Sequence, residues 1–132
     1  MKGFRSIPFQ VILHGCALLA LLPRFWSWGS FLVFVITTWL TACFGVMIGY
    51  HRLLSHRSFS TFIWFERVLA TLGALSYQDG PIRWVSIHRM HHKYSDTDRD
   101  PHNSNRGFWY SYMTWMFNNP LTEVQREYVR DI

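Results

Sequence analysis

At 132 residues, with 18% aromatic and 16% charged side chains, the chain has room for one domain and too little for two separately packed ones. Its apolar residues are concentrated: residues 6–23 and 25–50 contain no Asp, Glu, Lys or Arg, and Arg24 alone divides them. The net charge of +5 is no nucleic-acid signature, because the basic residues form no dense run and two apolar stretches precede most of them; no nucleic-acid partner is expected.

The first run, IPFQVILHGCALLALLP, is short and carries Gln10 and His14, so a span, an interfacial helix and a buried helix all fit it. A cleaved signal does not, because FWSW stands where a small-residue cleavage site is needed. Trp26 and Trp28, beside Pro23 and Gly29, predict an aromatic turn at a membrane interface. Residues 30–50, SFLVFVITTWLTACFGVMIGY, supply the roughly 20 apolar residues that cross a hydrocarbon core of about 30 Å. The two runs together predict an antiparallel transmembrane hairpin. Lys2 and Arg5 precede it and ten of the 13 basic residues lie at Arg52 or later, which places both termini and the part that follows in the cytoplasm. Cys16 and Cys43, both inside apolar runs, are expected as small core residues.

Beyond Tyr50 the pattern becomes amphipathic. Residues 62–77 place Phe65, Val68, Leu69, Leu72 and Leu75 at helical spacing, with Glu66 and Arg67 on another face. Pro81 suits the first position of a helix, predicting one from residue 81 to about 94. SDTDRDPHNSN is a loop by composition, GFWYSYMTWMF an aromatic or interfacial helix, and Asn118, Asn119 and Pro120 its stop. The polar tail LTEVQREYVRDI carries no chemical signal. The fold class is therefore an all-α membrane protein, a transmembrane hairpin followed by cytoplasmic amphipathic helices.

Histidine is where chemistry is signalled. On a helix from residue 81, His88, His91 and His92 fall at i, i+3 and i+4 and share a face about 100° wide. His51 and His56 in HRLLSH are five apart, about 140° around a regular α-helix; they converge only if the helix ends or bends, or else they serve two ions. Clustered imidazoles are costly unless something shares their lone pairs, so these five are the candidate metal ligands. His14 and His102 stand alone and are expected as hydrogen-bonded side chains. The absence of HExxH, of a cysteine partner and of Glu-x-x-His argues against a zinc protease, structural zinc and carboxylate-bridged iron, leaving an oxygen-activating metal, iron first. Asp96, Asp98 and Asp100 open like a calcium loop, but Pro101 and Gly107 stand where Gly and Glu are required. Pairing with Arg89 or Arg99, helix capping, or contacts to the histidines are the remaining roles.

GYHRLLSHRSF and WVSIHRMHHKYSDTDRDPHNSNRGFWYS, in this order, resemble the first and second histidine boxes of the membrane fatty acyl desaturases, specifically the delta-9 or stearoyl type. The resemblance covers roughly residues 30–116, and QDGPIRWVSIHRMHH is closer to the bacterial and plastid acyl-lipid branch than to the animal acyl-CoA branch. It implies a di-iron (Fe2+) centre that uses O2 to remove two hydrogens from adjacent carbons of an acyl chain, carried by a membrane lipid or CoA. Two electrons would come from ferredoxin or cytochrome b5. Position by position it makes His51, His56, His88, His91 and His92 iron ligands, and places Gln78 and Trp84 at the bend of the acyl tunnel.

The family's third box, HNxHH, has no counterpart here, and five ligands do not fill two irons. The chain is therefore expected to be one truncated desaturase domain over residues 1–132: a hairpin at about 6–50, a histidine-box region at 51–117 and a tail at 118–132. A C-terminal desaturase fragment would complete it. The competing readings are a non-catalytic membrane hairpin and a related membrane hydroxylase.

Overall fold

The computed structural model describes residues 7–117 and 126–132, so Lys2, Arg5 and the expected stop at Asn118, Asn119 and Pro120 lie outside the described residues. Helices α1 (Ile7–Leu18), α2 (Trp28–Ser55), α3 (Ile63–Leu75), α4 (Pro81–Tyr94) and α5 (Phe108–Tyr112) follow in order, with short 3-10 turns between some of them. There is no strand among the described residues.

Helix α2 is the one described helix long and apolar enough to cross a membrane, at 28 residues. Ser27 caps it, accepting the Ser30 N–H at 3.1 Å, and Trp26 and Trp28 meet edge to face beside that cap as the aromatic turn. From Phe31 to Ile36 its apolar side chains are exposed. Its hydroxyls are internally satisfied, Thr37 and Thr41 donating to the carbonyls of Val33 and Thr37, as an apolar surrounding demands. The first apolar run forms a shorter helical stretch, Ile7–Leu21. It does not lie along α2 as the closely packed hairpin partner. Its ties run instead to later segments, Phe9 stacking on Tyr77 and His14 Nε2 meeting the Tyr112 hydroxyl at 3.3 Å. Cys16 and Cys43 are free and exposed, which corrects their expected place in the core: both lie on helix faces that no other described element covers.

The lower part of α2, Trp39–Ser55, is a π-helix. At its end the His56 N–H donates to the His51 carbonyl at 3.0 Å and the Ser55 hydroxyl to the Tyr50 carbonyl at 2.7 Å, each reaching back five residues. Here α3 crosses in close contact. Gly45 faces the backbone of Leu72 and Gly73, and Gly49 faces Leu69, so small residues let the two backbones approach. The buried face of α3 is Leu69 and Gly73, flanked by Phe65 and Leu72. Val68 and Leu75, expected on that face, are 45% and 61% exposed, because contact is confined to the turns that meet the glycines. Helix α4 spans the range that Pro81 predicts, with Gly80 at its cap, and adds Val85 to a core of Tyr50, Leu53, Leu54, Leu69 and Val129. Val129 comes from residues 126–132, so part of the polar tail is docked on this core.

Candidate metal centre

The π geometry decides where the first histidine pair points. Hydrogen bonds that reach back five residues wind the helix more widely and so narrow the angle between residues five apart, and the His51 and His56 rings lie 4.5 Å apart. Of the alternatives open from sequence, the pair converges. Helix α4 brings His88 and His92, one turn apart, against it. The Nε2 atoms of His56 and His88 are 3.2 Å apart and those of His88 and His92 are 3.1 Å apart. One ring nitrogen from each of His51, His56, His88 and His92 lies within 4.8 Å of all the others.

That packing is costly without a shared ligand. In neutral imidazole each ring nitrogen carries either a proton or a lone pair, so His88 Nε2 cannot pair properly with both His56 Nε2 and His92 Nε2. Nδ1 of His51 is buried with no hydrogen-bond partner among the described residues. Nitrogens on one ion at about 2.1 Å stand between roughly 3 and 4.2 Å apart, depending on the coordination geometry, so closure of about 1 Å would bring all four onto a common ion. The residues present fit a histidine-bound metal.

Protonation follows the same geometry. Burial first, then His92, His51, His56 and His91, bring the His88 imidazole down to about 3. Burial, then His56 and His91, also lower His92. Both imidazoles are therefore neutral at neutral pH, the form in which a ring nitrogen can bind a metal. In the metal-free chain the folded state then binds fewer protons than the unfolded state between pH 6.5 and about 3. Stability is full above that window and is lost as pH falls through it. The thermal midpoint by circular dichroism in the presence of chelator is expected to be lower at pH 5 than at pH 7.5; an unchanged or higher midpoint would contradict this.

His91 is placed apart from the four. Its Nδ1 lies 2.9 and 3.0 Å from the two carboxylate oxygens of Asp100. An ionised carboxylate only accepts, so Nδ1 carries the proton and Nε2 is left as the donor nitrogen. Asp100 is 2% exposed. Burial opposes its charge, but hydrogen bonds from His91, the His102 N–H and the Asp96 N–H outweigh that and hold it below the usual carboxylate range. The Asp-rich loop thus orients the histidine face through Asp100. The alternative pairing with Arg89 is not formed, since Arg89 binds Asp131.

Gln78 and Trp84 stand together, the Trp84 indole N–H donating to Gln78 Oε1 at 3.2 Å. Trp84 stacks on the His88 ring at 4.8 Å. With His88, His91, His102 and Trp115 they line a cavity of about 200 Å³. A second cavity of about 190 Å³ shares the Gln78, Trp84 and Trp115 walls and runs on past Tyr77, Tyr112 and Met116. Tyr77 and Asp79, on either side of Gln78, have φ of 60° and 95°, the left-handed region that costs a side-chain-bearing residue energy. The Tyr50 hydroxyl holds this turn by donating to the Asp79 carbonyl at 3.1 Å. His14 and His102 are hydrogen-bonded as expected, His14 to the Gln10 carbonyl and His102 to the Ser111 carbonyl, each at 2.8 Å. Trp115 was not singled out from sequence; Asp100 was, and of the roles left open for it the structure selects contact with a histidine. The signal for Asp100 was its distance past the end of α4, which lets a loop fold back on the last histidines.

The profile described as fatty acid desaturase matches residues 14–130. The chain belongs to the fatty acid desaturase family. Among its relatives are the sn-1 stearoyl-lipid 9-desaturase of Anabaena variabilis, 44% identical over 94% of this chain and 46% of that protein, and the sn-1 stearoyl-lipid 9-desaturase of Synechocystis sp. (strain ATCC 27184 / PCC 6803 / Kazusa), 45% identical over 94% of this chain and 39% of that one. An acyl-CoA Delta(11) desaturase of Choristoneura rosaceana is 39% identical over 75% and 32%. The chain spans less than half the length of each of these desaturases. No solved structure matches it. Family membership suggests association with a membrane, which agrees with the one helix among the described residues that is long and apolar enough to cross it.

Proposed function

We propose that this chain carries the front half of a delta-9 fatty acyl desaturase that introduces a double bond into the acyl chain of a membrane lipid. The observation that supports it is the convergence of His51, His56, His88 and His92 within 4.8 Å beside a cavity whose walls include Gln78 and Trp84. In this reading the four histidines hold one iron. His91, fixed by Asp100, offers its Nε2 to a second iron that needs ligands from a C-terminal desaturase fragment. Bound iron would supply the power to activate O2 and draw two hydrogens from adjacent methylene carbons, with electrons from ferredoxin or cytochrome b5. The chain's own residues do the positioning. Trp84, pressed on His88 and tied to Gln78, fixes the wall past which an extended chain must turn, and the strained turn around Gln78 sets where that happens. The apolar lining excludes water from the reacting carbons. The acyl-lipid names of the cyanobacterial relatives favour a lipid over CoA as carrier.

In the membrane, α2 crosses once and the Ile7–Leu21 helix forms the other arm of a hairpin without packing along it, with the histidines and both ends on the cytoplasmic side. Co-expression with a C-terminal desaturase fragment in a host that lacks monounsaturated lipids tests the proposal. New monounsaturated acyl chains, lost on His92→Ala, are the expected result; unchanged lipids favour a non-catalytic hairpin, and hydroxylated acyl chains a hydroxylase.

A further inference from the structure

Arg89 sits inside HRMHH, one residue after His88, yet its side chain turns away from the imidazoles. A guanidinium has five N–H donors, and all five are used. Nε donates to the Ser55 carbonyl at 3.0 Å. Nη2 donates to the Leu54 carbonyl at 2.6 Å and to Asp131 Oδ2 at 3.0 Å. Nη1 donates to the Tyr128 carbonyl and to Asp131 Oδ1, both at 2.6 Å.

Leu54 and Ser55 carry the last carbonyls before His56, where α2 ends and the helix itself offers them no donor. The Asp131 carboxylate fixes the guanidinium in the two-pronged geometry only arginine can satisfy. Arg57, in the left-handed region with φ 51°, holds the same carboxylate from the other side at 2.9 Å. Arg89 and Arg57 together hold the Asp131 carboxyl well below its usual range against the opposing effect of burial. The chain leaving His56, the helix bearing His88 and His92, and the docked tail therefore meet at one side chain.

We propose that Arg89 is a positioning residue for the metal centre: with Asp131 as its anchor, it clamps the end of α2 to α4 and so sets the spacing between the His51/His56 pair and the His88/His92 pair. This rests on the four-histidine reading of the site. Lysine at 89 would keep the charge but has three N–H donors on a single nitrogen, too few and too closely placed to serve the α2 carbonyls, the Tyr128 carbonyl and the carboxylate together.

The test is titration of the full chain in detergent micelles with cobalt(II), whose visible absorption bands report the geometry of its ligands, alongside circular dichroism. The wild type is expected to bind about one cobalt. Arg89→Lys and Arg89→Gln are expected to keep their helix content, shift the visible bands and lose roughly 10–100-fold in affinity, the range seen when a partner that orients a metal ligand is removed. Asp131→Asn should move affinity the same way by a smaller factor, and it carries the test if the Arg89 variants do not fold. Unchanged affinity and bands in folded Arg89→Gln, or in Asp131→Asn where the Arg89 variants do not fold, would overturn the clamp while leaving the four-histidine site standing. A wild-type chain that takes up no cobalt would overturn the site itself.

Discussion

His88→Ala is expected to abolish ferrous iron binding by the isolated chain, while His91→Ala keeps one iron per chain. His88 Nε2 is the shared point of the two shortest contacts between the rings, with His56 and His92 on either side. Removing it would leave His51 and His56 from the end of α2 and His92 alone from α4 to hold an ion, a larger loss than the roughly 10–100-fold that an outer hydrogen-bond partner is worth. His91 has its proton on the Asp100 side and no nitrogen in the group of four, so its removal should leave affinity within a few-fold. Anaerobic loading followed by metal analysis of the desalted protein separates the two. Equal loss in both variants would mean that the five histidines act on one ion and that the division described above is mistaken.

The second large effect is expected at Gly45. A Cβ there would overlap the backbone of Leu72 and Gly73, and backbone cannot rotate away as a side chain can. Gly45→Ala should therefore cost about 3 kcal/mol, the upper part of the usual range for overpacking, by forcing α2 and α3 apart at the level of the core. Gly15→Ala is the control: nothing lies within 4 Å of a Cβ added there, and alanine in a helix is favoured by about 1 kcal/mol. Unfolding of the two variants by increasing mole fraction of dodecyl sulfate, followed by ellipticity, should move the midpoint in opposite directions. A Gly45→Ala protein as stable as the parent would show that the two helices are not in backbone contact.

These two sites show what the sequence could and could not convey. Pro81 and the HRMHH spacing announced α4 and its ligand face almost residue for residue, because helix start chemistry and 3.6-residue periodicity are local properties. His91 is less legible. It lies at the edge of the face, about 100° from His92, and its direction depends on a carboxylate nine residues away that only the folded loop delivers. Gly45 and Gly49 were visible as letters, but their meaning depends on Gly73 and Leu69 arriving opposite them, a long-range event. The tail read as inert because its role is to be held: Val129 fills the core and Asp131 receives two arginines, neither of which leaves a motif. Most opaque was the helix type of α2. Nothing in composition separates a π from an α segment, so the histidine pair alone carried the clue, as a spacing that regular helix geometry could not satisfy.

That spacing has a consequence for anyone moving the site elsewhere. HRLLSH is a pair of ligands and also a gauge of how widely its helix is wound. Grafted onto an ideal α-helical scaffold, the six residues would carry both imidazoles intact and aim them at different sides. A transplant would need one residue fewer between the histidines, giving the i, i+4 relation that His88 and His92 already use. Alternatively it would need to bring the wide helix along, and with it the glycine contact on α3 against which that helix packs.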